Sequence, residues 1–409
     1  MSTGRLENRE AVDIYRYPDT IITHTPRSTI TLGDLHGNAA KFLQLLVREG
    51  IIEISPADYH DLVTIYEKSG RNYQRKGQDI KRFTDILNKA TLNTHQLKLM
   101  IIGDDVTDRG KNDLHQGLIY EKLSALNLDY TIQLSNHGTE FLKQLAYGIN
   151  DELIILYQDE QRPFGESLYG LRDDISHQHV TAERVNDLFE NNYLSHVELL
   201  SCEVTDDSNI LIYSHAPITP SKIKYLAKMF HVDYADDTAE KLADTILQIN
   251  LNFKPYMTDI KSLKDFFTIL ESNPNLDSVI DSYINDRYSD LPADIQNTNG
   301  HKSYHVTNVH GHVGDESLTA SPIDQWTYLN TDTNLGKTEM HNEHHYFAHV
   351  SPSVNAPTLA ATADQNPGPP KKLKHETPYT KSNLFAPQPQ SSPTNTNENK
   401  NDETKRRKL

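Results

Sequence analysis

The chain has 409 residues, 36% of them hydrophobic and 24% charged, with a formal net charge of −17. That length allows two or three domains, or one large α/β domain with insertions and a tail. No apolar run approaches the ~20 residues of a membrane span, the acidic balance disfavours broad contact with nucleic-acid backbone, and the lone Cys202 fits a reducing compartment.

Residues 1–28 open without the apolar stretch of an export signal; they are polar, lack a clear period, and are expected to form at most an approach to a sheet. Ser28 to Leu32 then alternates with period two, and Phe42, Leu45 and Leu46 recur at helical spacing before Gly50. Between them lies Gly33-Asp34-Leu35-His36-Gly37-Asn38. This turn sits at a strand's carboxyl end, where an open α/β sheet leaves a crevice. Asp34 and His36 could both point at one cation, although alone they read more readily as a turn acid and a surface imidazole.

Residues 54–95 are charged and read as an inserted helical hairpin. A buried strand is predicted from Leu97 to Ile102, running into Gly103-Asp-Asp-Val-Thr-Asp-Arg-Gly110, and another from Tyr130 to Leu134, ending in Ser135-Asn136-His137-Gly138 with a helix from about Thr139. Residues 151–196 are helical and polar. Leu199 to Val204 and Asn209 to Tyr213 predict a hairpin that ends in Ser214-His215. Residues 220–300 form a helical block in which Leu263, Phe266, Phe267 and Leu270 fall at helical spacing, expected as a lid or recognition region over the strand ends. Ser303 to Val309 predicts a strand that runs into His310-Gly311-His312, and Trp326 to Leu329 and Tyr346 to Val350 are the last strands.

After Ser351 the composition turns to Pro, Asn, Thr, Ser and Gln, so residues 352–409 are expected to be disordered. They carry nine Lys or Arg against five Asp or Glu, clustered near Lys371 and Lys405. Solvated charge is the plainer reading; nuclear import through a receptor, or contact with an acidic surface, is the sharper one. The expected organisation is thus a segment 1–28, a domain 29–351 and a tail.

The strand ends together supply Asp34, His36, Asp104, Asn136, His215 and His312, a mixed O/N donor set suited to manganese, iron or zinc rather than calcium. Asp104 lies at the middle strand end and could bridge two ions, which would make hydroxide available at neutral pH and hold a phosphoryl oxygen. His137 could protonate a leaving group, with Asp108 orienting its ring and keeping it cationic. Arg109 could fork onto phosphate oxygens. This is the equipment of phosphate-ester hydrolysis.

G-D-L-H-G, G-D-D-V-T-D-R-G, N-H, S-H and G-H, each after a predicted strand, resemble the phosphoprotein phosphatase (PPP-type) branch of the calcineurin-like metallophosphoesterases, over roughly Thr29 to Val350. The resemblance implies an α/β fold, a mixed β-sandwich flanked by helices. It implies two divalent ions, often manganese in bacterial members, the first held by Asp34 and His36, the second by Asn136, His215 and His312, with Asp104 between them. It implies hydrolysis of phosphoprotein monoesters, Ser/Thr favoured, by direct attack of a bridging hydroxide.

The chain departs from the pattern in three places. Three residues, Asp105, Val106 and Thr107, stand where the family has two, so a wider turn must absorb the extra one. Ser135 and Gly138 replace the usual flanks of N-H, which leaves a carboxylate to be supplied from elsewhere, such as Glu140. The family's second phosphate-binding arginine has one counterpart between His215 and His312, Arg287, with a plain surface role as its alternative. These departures suit a divergent bacterial-type member, and the polar inserts and basic tail look similar to effector phosphatases that pathogens deliver into host cells. Rival readings are an inactive phosphate-binding scaffold, a diesterase or dinucleotide hydrolase, and a tyrosine phosphatase on the same fold.

Overall fold

Short apolar and β-branched runs bounded by glycine make the centre of the molecule. In the computed structural model, which describes residues 5–70, 77–93, 96–149, 165–285, 303–312, 321–323, 326–332 and 344–352, these runs are parallel strands whose carboxyl ends share one edge. The strands in chain order are β1 Arg5–Val12, β2 Ser28–Leu32, β3 Ile52–Glu53, β4 Thr91–Leu92, β5 Lys98–Ile101, β6 Asp129–Gln133, β7 Val197–Glu198, β8 Ser201–Val204, β9 Ile210–Ser214, β10 Val306–His310, β11 Ser321–Ile323, β12 Trp326–Asn330 and β13 His344–Pro352.

The first sheet has the order β1-β13-β2-β5-β6-β7 and the second β11-β12-β10-β9-β8, while β3 and β4 pair by themselves. Strands β2, β5, β6 and β7 run parallel, as do β9, β10 and β12, and the antiparallel partners lie toward the edges. Parallel strands buried on both faces favour continuous apolar sequence; β9, Ile-Leu-Ile-Tyr-Ser, is such a run, whereas β2 is buried at every position although it alternates Thr with Ile and Leu. The two sheets meet through Met100, Ile102, Leu211, Tyr213 and Val309. This is a mixed α/β fold with helices around the sheets.

The helices are α1 Ala39–Arg48, α2 Pro56–Glu67, α3 Gly77–Leu87, α4 Asp113–Ala125, α5 Asn136–Tyr147, α6 Glu166–Ser176, α7 Ala182–Asn192, α8 Pro220–Met229, α9 Ala239–Phe253, α10 Ile260–Ser272 and α11 Pro274–Asn285. Three of them start immediately behind a strand-end turn, each capped by a side-chain oxygen: Asn38 on α1, Asn112 on α4 and Ser135 on α5. Such caps satisfy backbone N–H groups that a helix start leaves unpaired. Among the described residues no helix is long and apolar enough to cross a membrane.

Two readings of the sequence change. The N-terminal segment is no mere approach, because β1 is the edge strand of the first sheet, paired with β13 from Arg5↔Val350 onward. An edge strand has one neighbour and tolerates polar residues, and Arg9 contributes by binding the buried Glu49 at 3.1 Å. Helix α5 begins at Asn136 rather than near Thr139, because Ser135 supplies the cap. The tail beyond Pro352, its two basic clusters, residues 286–300 and Arg287 lie outside the described residues.

Candidate active site

The six residues that the sequence places at strand ends come together where the carboxyl ends of β2, β5, β6, β9 and β10 converge. The backbone there is costly. His36, Asp104, Thr107, Asp108 and His312 all have positive φ, between 47° and 84°. Each such non-glycine residue costs on the order of 1–3 kcal/mol and persists only where its surroundings enforce it. Glycine permits the close approaches between turns: a Cβ on Gly110 would lie 1.7 Å from the Gly37 carbonyl oxygen. Gly103, at φ +92°, makes room for the Ser135 side chain. Ser135 Oγ accepts the N–H groups of Asp104 and Gly138, both at 2.9 Å, so the serine that departs from the expected motif ties the second turn to the third.

Asp104 stands between two groups of potential ligands. Its Oδ1 lies 3.5 Å from His215 Nε2 and its Oδ2 3.9 Å from His36 Nδ1. Ligand atoms of Asp34, His36 and Asp104 lie within 4.8 Å of one another, and so do those of Asp104, His215 and His312. Asn136 Oδ1 points at His215 Nε2 at 2.8 Å. Asp34 is anchored as well, accepting the His312 N–H at 3.0 Å. His310 faces away, with Nδ1 against the Gly311 carbonyl, so the turn presents His312 instead.

The tautomers of the second group follow from its neighbours. His215 Nδ1 meets the Ile102 carbonyl at 2.9 Å, and His312 Nε2 meets the Asn285 carbonyl at 3.0 Å. A carbonyl only accepts, so both of those nitrogens carry the proton. The nitrogens that face each other, 3.1 Å apart, are then both lone pairs. With the Asn136 amide oxygen and Asp104 beside them, four acceptors converge. Burial pushes His215 down to about 4, which keeps this ring neutral at pH 7. A divalent cation fits this donor set.

The other group also fits one. His36 is buried with its Nδ1 2.8 Å from Asp108 Oδ2, while its Nε2 makes no hydrogen bond, a state polar groups in a protein interior rarely hold without an ion or water. Burial alone would raise the Asp104 carboxyl, but the imidazoles of His215, His137, His36 and His312 hold it far below the ordinary range.

His137 sits at the start of α5, its backbone N–H on Asp104 Oδ1 at 3.2 Å. Its ring is oriented by Glu140, whose Oε2 is 3.2 Å from Nδ1, whereas Asp108 was the expected orienter. Asp108 Oδ2 lies 2.8 Å from His36 Nδ1 and 3.7 Å from His137 Nε2, so it serves both rings as a nearby anion. Against a desolvation that lowers it, the carboxylates of Asp104, Glu140 and Asp108 raise His137 to about 9. It is an imidazolium at neutral pH. Arg109 stays at this rim, one third exposed, with Nε 3.6 Å from Asp108.

The extra residue of the second turn is absorbed at Thr107 and Asp108, whose φ values of +61° and +84° fold the added length into the turn. Asp105 is pinned between the Tyr120 and Tyr193 hydroxyls at 2.5 and 3.2 Å, and burial pushes it up to about 6. The Ile102 and Asn285 carbonyls, and Asp113, whose Oδ1 accepts the Thr107 N–H at 2.9 Å, carry no signal in composition or spacing.

Comparison with known proteins places this chain among phosphatases. A family model described as WipA-like, phosphatase domain, matches residues 98–337, a stretch that holds Asp104 to His312 and leaves out Asp34 and His36. The phosphatase domain of the Legionella effector WipB is similar at 25% identity and a TM-score of 0.58, over 72% of this chain and all of that one. A cold-active protein-tyrosine phosphatase of a psychrophilic Shewanella aligns over 80% of this chain and 78% of its own, at 13% identity and a TM-score of 0.30, too low to carry weight. No curated protein matches.

Proposed function

We propose, from the premise that this chain belongs to the family of WipA-like phosphatase domains, that it is a binuclear metal-dependent phosphoprotein phosphatase of the PPP type. The observation that carries this reading is the Asp104 carboxylate, whose two oxygens divide between two nitrogen-and-oxygen donor groups. Asp34, His36 and Asp104 would hold one divalent cation and Asp104, Asn136, His215 and His312 the other, manganese being favoured and iron or zinc the alternatives. Such a pair would supply an acidic water at neutral pH and positive charge to offset the negative charge that gathers on the phosphoryl oxygens.

The chain's own residues do the rest. His137, held cationic by Asp104, Glu140 and Asp108, donates its Nε2 proton to the departing alkoxide, so that an alcohol leaves. Arg109 at the rim has the fork that grips two phosphate oxygens, and burial of the carboxylates and rings strengthens every charge interaction in the pocket. The substrates are phosphoprotein monoesters, Ser/Thr first by the resemblance of the motifs, and the similarity to an effector's phosphatase domain favours delivery into a host cell.

Elemental analysis of the purified chain, combined with turnover of p-nitrophenyl phosphate and of its bis ester, tests this. About two divalent ions per chain and preference for the monoester are expected. Preference for the diester would replace the monoesterase by a diesterase, and a metal-poor, inert protein would leave a scaffold.

A further inference from the structure

We propose that Asp113 is a positioning residue: by accepting the Thr107 N–H it holds the widened left-handed turn that aims the Asp108 carboxylate at His36 and His137. The consequence for turnover rests on the phosphatase reading; the geometry does not.

Threonine is β-branched, and at φ +61° it is an outlier that its own sterics oppose. Asp108 follows it at φ +84°. Two successive left-handed non-glycine residues would relax to ordinary backbone unless held from outside. The Asp113 carboxylate does the holding, with Oδ1 2.9 Å from the Thr107 nitrogen and both residues buried. Ser167 N–H in addition binds the Asp108 carbonyl at 3.2 Å. Each of the two strained residues thus has one backbone group held from outside the turn.

Asp113 is itself fixed. It is the first residue of α4, directly after the cap Asn112, whose Oδ1 accepts from Leu114 N at 2.8 Å and whose Nδ2 reaches Asp174 Oδ2 on α6 at 2.9 Å. An acid in a helix's first turn ordinarily faces solvent and serves the helix dipole. This one is wholly buried and turned back onto the loop before it, a placement that costs desolvation and needs a purpose beyond the dipole. The turn it holds is the one with the added residue, and it sets a carboxylate 2.8 Å from one imidazole and 3.7 Å from another.

The test compares Asp113→Asn, which keeps the Oδ1 acceptor, with Asp113→Ala, which removes it, each alone and the latter combined with Thr107→Gly. A shift of about 1 Å in a catalytic group costs about 10²-fold in rate. Asp113→Ala is therefore expected to lower kcat by about 10- to 100-fold with KM changed little, and Asp113→Asn to stay close to the parent. Thr107→Gly, which accepts positive φ without steric cost, is expected to return a large part of the loss in the Asp113→Ala background. A merely structural role leaves the double variant as poor as the single one.

The ring 15N resonances of His36 and His137 in the metal-free protein form a second arm, independent of turnover. They move in Asp113→Ala and not in Asp113→Asn if Asp108 is displaced. Unchanged resonances and kcat in Asp113→Ala, or equal losses in both variants, overturn the proposal. Should Asp113→Ala fail to fold, Asp113→Glu keeps the carboxyl group but moves it, and parental behaviour there overturns it equally. A parent chain that hydrolyses no phosphate ester refutes the phosphatase reading, while the resonances still decide the role of Asp113.

Discussion

The half of the pocket around His215 and His312 and the half around His36 and His137 are held by different means. In the first, backbone carbonyls of Ile102 and Asn285 fix the rings. In the second, carboxylates do so: Glu140 at His137, Asp108 beside His36, and Asp113 behind the strained turn. A carbonyl is supplied by any residue, so the first half is insensitive to side-chain changes around it. A carboxylate carries charge and can be lost by one substitution. The second half is where the chain sets the protonation of a ring and where single changes should alter chemistry rather than assembly.

The largest effect should come from the residue the halves share. Asp104→Asn is expected to lower kcat/KM by about 10³-fold or more and to deplete both ions in elemental analysis, since the carboxylate faces both donor groups. Retention of more than a tenth of the activity would dissolve the idea of a shared ligand. Next comes His137→Asn, confined to the second half. Its kcat should fall about 10²- to 10⁴-fold, the span of a general acid, with ion content unchanged; loss of the ions as well would make His137 a ligand.

What could be read from the sequence follows the same division. Strands β2, β5, β6, β9 and β10 stand out as apolar or alternating β-branched runs that stop at a glycine or a polar turn, and the candidate ligands follow those stops, so both the sheet edge and the six residues that meet there were legible. Strand β1 was not, because an edge strand with one partner needs no apolar alternation. Neither were the supports. Asp113 looks like any acid in a helix's first turn, and the Ile102 and Asn285 carbonyls have no sequence signal at all. The widened turn at Thr107 was visible as an added residue, but its left-handed resolution depends on groups on α4 and α6 that only the fold brings near.

Smaller effects sharpen the contrast through pH. In the proposed role of general acid His137 must carry its proton, so kcat/KM should fall as pH rises through about 9. Glu140→Gln removes one of the anions that raise the ring and should move the limb down by about one unit; an unmoved limb would show that Glu140 does not support the proton.

The smallest effect concerns stability. Burial pushes Asp113 up to about 7, against about 3.9 in an unfolded chain. Between those values the folded protein keeps a proton that the unfolded chain has released, so this group's contribution to stability falls as pH rises from about 4 to about 7. Asn cannot ionise. The Tm of Asp113→Asn should therefore gain on the parent across that window, measured by thermal melts at stepped pH, and parallel curves would place the carboxyl's titration elsewhere.

Anomalous scattering at the manganese edge from crystals grown with that ion tests the central claim most directly. Two peaks about 3.5–4 Å apart, astride the Asp104 carboxylate with His36 on one and His215 and His312 on the other, are the predicted result. A single peak, or a pair with Asp104 bound to neither, would contradict it.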